Sequence, residues 1–133
     1  MIFADTNVYV DAVNDPEFRT HFRNFAKAHS LAVSSVVVAE ILLGKAPAQL
    51  LATEQAMTFS GPALAPAHED WIAAAAALAR LEVAGAKSRS FWNDALLAAQ
   101  CARLQATLIT RNQADFHRLQ RELNVRIVAP FPA

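Results

Sequence analysis

Short apolar runs alternate with longer amphipathic stretches along the chain, and this alternation predicts most of its elements. Ile2–Ala4 is apolar and ends in Asp5-Thr6-Asn7, residues that cap helices, so a buried strand feeding a helix is expected there. Pro16 opens a second helical stretch in which Phe18, Phe22 and Phe25 recur on one face. Residues 31–33 read as another strand. Ser34-Ser35 can cap a helix over 36–43 that Gly44 is placed to end, and 47–57 reads as a further helix. Gly61, Pro62 and Pro66 make 60–66 a loop, after which 68–83 is helical by composition. A break is expected over 85–90. Asp94 then leads into a helix over 95–104, with Leu97, Cys101 and Leu104 on one face. A strand over 107–110, a helix over 112–123 and a β-branched strand over 125–128 complete the pattern. Short strands alternating with helices predict an α/β domain on a mostly parallel sheet.

Size and composition narrow the class without changing that picture. At 133 residues the chain suits one domain spanning 1–133, and a 54% hydrophobic, 18% charged composition excludes disorder. The single cysteine, Cys101, rules out an internal disulfide, and a reducing cytoplasm fits best. No signal peptide is expected, because the amino terminus has no basic flank and only a short apolar run before Asp5. No membrane span is expected either, since residues 72–79 fall far short of the roughly 20 needed to cross a bilayer.

Formal net charge is zero, which by itself gives no support to nucleic-acid binding. Four of the twelve acids, however, are candidates for one metal site, and setting them aside leaves eight acids against twelve bases. Eight of those bases lie from Arg80 onward, so the carboxy-terminal half is the candidate phosphate-facing side, with ordinary solvated helix surface as the alternative.

Those four acids are Asp5, Glu40, Asp94 and Asp115. Asp5 directly follows the first strand, at the carboxyl edge where open parallel sheets gather functional groups. Glu40 stands among apolar neighbours in its helix, and a carboxylate so placed is usually paired, metal-bound or turned toward a cleft. Asp94 and Asp115 fall where a helix is expected to begin. Capping accounts for Asp5, Asp94 and Asp115 as readily as catalysis does, with Asn112 and Asp115 as a capping-box pair. A solvent stripe is the plain alternative for Glu40. Collectively, oxygen ligands of this kind suit Mg²⁺ or Mn²⁺. Zinc is disfavoured, because Cys101 stands alone and His21, His29, His68 and His117 show no paired ligand spacing.

Four blocks carry a resemblance that covers nearly the whole chain. They are Ile2-Phe3-Ala4-Asp5-Thr6-Asn7, Ser35-Val36-Val37-Val38-Ala39-Glu40-Ile41, Asn93-Asp94-Ala95-Leu96-Leu97-Ala98-Ala99, and Ala106-Thr107-Leu108-Ile109-Thr110-Arg111-Asn112-Gln113-Ala114-Asp115-Phe116. In this order and spacing the chain resembles a PIN domain of the VapC-type toxin group. The resemblance implies a Rossmann-like parallel sheet of short strands flanked by helices, metal-dependent endoribonuclease activity, and acids at Asp5, Glu40, Asp94 and Asp115. It also implies supporting roles for Thr6, Thr110 and Asn112, a homodimer, and a small VapB-like antitoxin as partner. Some relatives carry an acid where Asn112 stands, which leaves open whether Asn112 or Asp115 touches metal.

The implied chemistry is in-line hydrolysis of RNA phosphodiesters by metal-activated water, leaving a 5′-phosphate and a 3′-hydroxyl. A nucleophilic serine or cysteine is not supported. Two rival readings stay open: a degenerate PIN domain that only binds RNA or protein, and a phosphatase forming an aspartyl-phosphate on Asp5. The second generally wants an acid two residues on, where Asn7 stands.

Overall fold

The computed structural model describes residues 1–59, 61–82 and 85–130, with the backbone alone over 85–90. Strand β1 (Ile2–Ala4) runs into helix α1 (Thr6–Asn14), followed by α2 (Pro16–His29), α3 (Ser35–Leu42), a 3-10 turn over Pro47–Gln49 and α4 (Leu50–Met57). Then come α5 (His68–Arg80), α6 (Gly85–Arg103), β2 (Thr107–Ile109), α7 (Gln113–Leu119) and β3 (Arg126–Val128). The three strands pair in parallel in the order β1-β2-β3, with Phe3 opposite Leu108 and Leu108 opposite Ile127. Central β2 and its neighbour β1 are apolar and covered by helices, as a parallel sheet requires.

Capping chemistry starts the helices where the sequence indicated. Ser34 Oγ accepts from Val36 N at 3.1 Å to begin α3, and Asp15 Oδ1 accepts from Glu17 N and Phe18 N to begin α2 behind Pro16. Phe18 and Phe22 are buried on the inner face of α2 and Phe25 packs against the same core. Phe3, Phe91 and Phe116 are fully buried around the sheet, each contributing about 1.5–3 kcal/mol by leaving water.

Three expectations need correction. Residues 31–33 form no strand: Ala32 bridges to Phe3 and Ser34 to Leu64, so the segment changes partner before a ladder can build. No break falls over 85–90, because the helix begins at Gly85 and places Asp94 well inside α6. One glycine costs a helix only about 1 kcal/mol, and docking of α5 against α6 offsets it. Buried Asp70, on α5, accepts from Arg103 Nε at 2.8 Å and Nη2 at 3.0 Å, fixing that docking. Finally, α7 ends at Leu119 and β3 starts at Arg126, each shorter than expected. Ser60 of the expected loop, Val83 at the expected helix end, and the Lys87 and Arg89 side chains lie outside the described residues.

Candidate active site

Asp5 sits where β1 gives way to α1, and its backbone N donates to Ile109 O at 2.8 Å across the sheet. The residue is buried. Oδ1 accepts from Thr6 N at 2.8 Å, while Oδ2 accepts from Thr110 Oγ1 at 2.8 Å and Asn7 Nδ2 at 3.2 Å. Cap and site roles therefore coincide in one side chain: one oxygen serves the helix, the other faces the end of β2. Burial pushes the Asp5 carboxyl above its ordinary pKa, against the opposing hydrogen bonds from Thr110, Thr6 and Asn7.

Glu40 reaches the same place from α3. It is half-buried, and Oε1 accepts from Thr6 Oγ1 at 3.0 Å. Burial raises its pKa, the Thr6 hydrogen bond opposes this, the Asp5 charge adds to the rise, and a hydrogen bond from Asn93 opposes it. The side chain is therefore partly exposed and at the same time hydrogen-bonded across to α1.

Asp94 comes from the interior of α6, so it is not the helix cap that the sequence allowed. Asn112, just beyond β2, spans two acids: its Nδ2 lies 3.3 Å from Asp94 Oδ2 and 3.2 Å from Asp115 Oδ2. The Asn112 side chain makes no capping hydrogen bond to α7, so the capping-box alternative for this pair does not form. Asp5, Glu40, Asp94 and Asn112 all line one open cleft of about 370 Å³ together with Thr6, Asn7 and Asp11. Asp115 is joined to that cleft through Asn112. Among the described residues, no three His, Cys, Asp or Glu side chains already surround a common point as metal ligands.

Asn7 is a contributor that sequence reasoning placed among the capping residues and set against the phosphatase reading, but did not name as part of the site. Its amide donates to Asp5 and, at 3.4 Å, to Thr110, and its Oδ1 accepts from Arg111 N at 3.2 Å. Asp11 was also passed over, although it lies four residues beyond Asn7 on the same helical face. Cys101 takes no part: it is fully buried, and burial first, then the charges of Asp5 and Asp70, push its thiol up to about 12.

A second, larger groove of about 880 Å³ lies among α1, α2, α3 and α4, floored by residues such as Tyr9, Phe22, Ile41, Ala52 and Met57. Arg19, Arg23, Lys27 and Lys45, all the bases that precede Arg80, line it, and among the described residues no acid does.

The model for the PIN domain matches residues 2–122. This chain belongs to the PIN-domain family. No curated protein matches the sequence. Among solved structures, this PIN domain is similar to a chain of VapBC2 from Rickettsia felis bound to a DNA fragment from their promoter, at 24% identity and TM-score 0.71, covering 97% of this chain and 98% of that one. A chain of DNA-bound VapBC from Salmonella typhimurium is similar at 21% identity and TM-score 0.71, with 96% of each chain covered. VapBC-1 from nontypeable Haemophilus influenzae gives 20% identity and TM-score 0.70 over 97% of this chain and 98% of that one. No helix among the described residues of the PIN domain is long and apolar enough to cross a membrane.

Proposed function

We propose that this PIN domain is a divalent-metal-dependent endoribonuclease and the toxin of a type II toxin–antitoxin pair. The observation that supports the reading is the open cleft lined by Asp5, Glu40, Asp94 and Asn112, residues from four separate segments of the chain. Its donors are carboxylate, hydroxyl and amide oxygens with no thiol or imidazole among the described residues, a set that fits Mg²⁺ or Mn²⁺. Asp5 and Asp94 are the proposed central ligands, with Glu40 and Asp115 completing the site directly or through water. When bound, the ion supplies a lowered water pKa and neutralises charge on the phosphate.

The chain's own residues do the positioning. Thr110 and Thr6 fix the Asp5 and Glu40 carboxylates by hydroxyl donation, and Asn112 holds Asp94 toward Asp115. In an open cleft of this breadth a phosphodiester can enter with solvent on its far side, which suits hydrolysis better than transfer to a second substrate. An aspartyl-phosphate on Asp5 is disfavoured because Asn7, already donating to Asp5, cannot serve as the proton donor an acid would supply.

The antitoxin belongs to the same proposal and is assigned the basic, apolar groove. A VapB-like segment with an apolar face and acidic flanks complements it in both shape and charge. The similarity to chains of VapBC structures supports this partner class. A homodimer and a cytoplasmic setting complete the reading.

Purified protein incubated with mixed RNA is expected to cleave it with Mg²⁺ or Mn²⁺, to stop on chelation, and to leave 5′-phosphate ends. Asp5→Asn should abolish cleavage. Activity that survives chelator or this variant overturns the metal-nuclease mechanism, and an antitoxin-free protein that cuts no RNA returns the chain to the binding-module reading.

A further inference from the structure

Among the described residues, no lysine or arginine side chain lines the acidic cleft, yet a phosphodiester entering it must be held against several carboxylates. Several arginines of the carboxy-terminal half are committed elsewhere. Arg80 pairs with Glu122 at 2.6 Å, Arg103 with Asp70, and Arg118 lies over the Phe91 ring. Arg111 differs in both position and partner. It stands between Thr110, which donates to Asp5, and Asn112, and its backbone N donates to Asn7. Its guanidinium lies over Phe18, 5.2 Å from the ring centroid, and its Nε donates to Asp11 Oδ2. Asp11 itself lines the cleft. Both side chains are substantially exposed, at 48% and 35%.

We propose that Arg111 is a phosphate-binding residue at the cleft rim and that Asp11 competes with RNA for it. The idea rests on the nuclease reading above. A guanidinium presents a fork of donors that suits carboxylate and phosphate oxygens alike, so a backbone phosphate can take over the donors that Asp11 now uses. The Phe18 ring face beneath the guanidinium adds a cation–π attraction that favours this placement. Exposure keeps the Arg111–Asp11 pair weak enough to exchange. Asp11 thereby discourages weak or misplaced anions, and only a substrate also anchored elsewhere in the cleft displaces it.

The test uses opposite substitutions. RNA affinity is read by anisotropy of a short fluorescent single-stranded RNA of mixed sequence with Ca²⁺ present, and KM and kcat by cleavage with Mn²⁺. Arg111→Met is expected to weaken affinity and raise KM by roughly fivefold with kcat nearly unchanged, and to lower the salt-dependence slope by about 0.7. Asp11→Asn is expected to tighten affinity by roughly two- to fivefold, an effect absent when Arg111→Met is also present. Melting curves check folding, and Arg111→Lys, which keeps the charge, should fall between wild type and Arg111→Met. If both substitutions weaken RNA binding alike, or the Asp11→Asn gain persists without Arg111, the pair is only a structural tie and the proposal fails. A wild type that cleaves RNA while Arg111→Met leaves KM and the salt slope unmoved also overturns it, with the nuclease reading intact. A wild type that neither binds nor cleaves RNA removes both.

Discussion

Thr110 Oγ1 donates to Asp5 Oδ2 at 2.8 Å, joining two residues 105 positions apart at the ends of adjacent strands. The same oxygen accepts from Asn112 N at 3.0 Å, so one buried hydroxyl orients both an acid and the residue that holds Asp94. Thr110→Val keeps the shape but leaves Asp5 Oδ2 with the Asn7 amide alone and takes the acceptor away from the Asn112 backbone N–H. It is expected to destabilise the fold by about 1–3 kcal/mol in urea melts and to raise the Mn²⁺ needed for half-maximal cleavage. Thr110→Ser should recover most of both losses. A valine variant with wild-type metal demand would show that this hydroxyl does not orient Asp5.

Acidity at the site yields a second expectation. Burial, the leading cause in each case, lifts Asp5 above 3.8 and Glu40 above 4.5. Between those values and the raised ones, the folded chain binds more protons than the unfolded chain. Their contribution to stability therefore falls as pH rises through that window and stays level above it. In chelator, Glu40→Gln should gain stability relative to wild type as pH rises across the window and show no gain below it. Bound Mn²⁺ requires the carboxylates ionised, so its increase in melting temperature should grow with pH over the same range. Melting curves from about pH 4 to about pH 8 test both signs; a Glu40→Gln advantage that is greatest in acid would contradict the assignment.

Ser34 and Gln100 make a buried tie between the helices that carry Glu40 and Asp94. Ser34 Oγ donates to Gln100 Oε1 at 2.6 Å while capping α3, and Gln100 Nε2 donates to Leu64 O at 2.9 Å. Both residues are 0% exposed. Ser34→Ala and Gln100→Leu are each expected to cost about 1–3 kcal/mol, and the double variant less than their sum, because each single change strands the other's polar group. Strict additivity in denaturant melts would show that the two side chains are not coupled.

The basic groove should be separable from the cleft. Arg23→Glu with Lys27→Glu places acids at two exposed positions of α2, one turn apart, on the groove wall. Capture of the co-expressed cognate antitoxin is expected to weaken roughly tenfold, with RNA cleavage by the isolated protein unchanged. Loss of cleavage together with capture would merge the two surfaces and count against the assignment.

Sequence patterning located the apolar strands and the acids that follow them because both signals are local. A carboxylate just past Ile2–Ala4 can be read from its neighbours, as can Glu40 within an apolar helix. Asp94 was misplaced because its setting is not local. Gly85 and the polar residues after it resemble a break in sequence, yet the backbone is helical from Gly85 onward. Residues 31–33 misled for a related reason: their strand-like composition is satisfied by two different partners, and partner choice is a tertiary property. Asn7 and Asp11 gave polar side chains on an expected helix and nothing more. Their contacts with Arg111 and Thr110 exist only once β1 and β2, far apart in sequence, pair side by side.

The sheet order carries a consequence for synthesis. Central β2 is the strand against which both β1 and β3 are built, yet it lies at Thr107–Ile109, late in the chain. A ribosome must deliver Thr110 and Asn112 before Asp5 gains its partner across the sheet and Asp94 its tie to Asn112, so a nascent chain lacking this stretch has the acids without the whole cleft. Closing such a long loop is slow relative to forming the helices along it. The cleft is thus assembled only after β2 has joined β1, later than the helices that flank it.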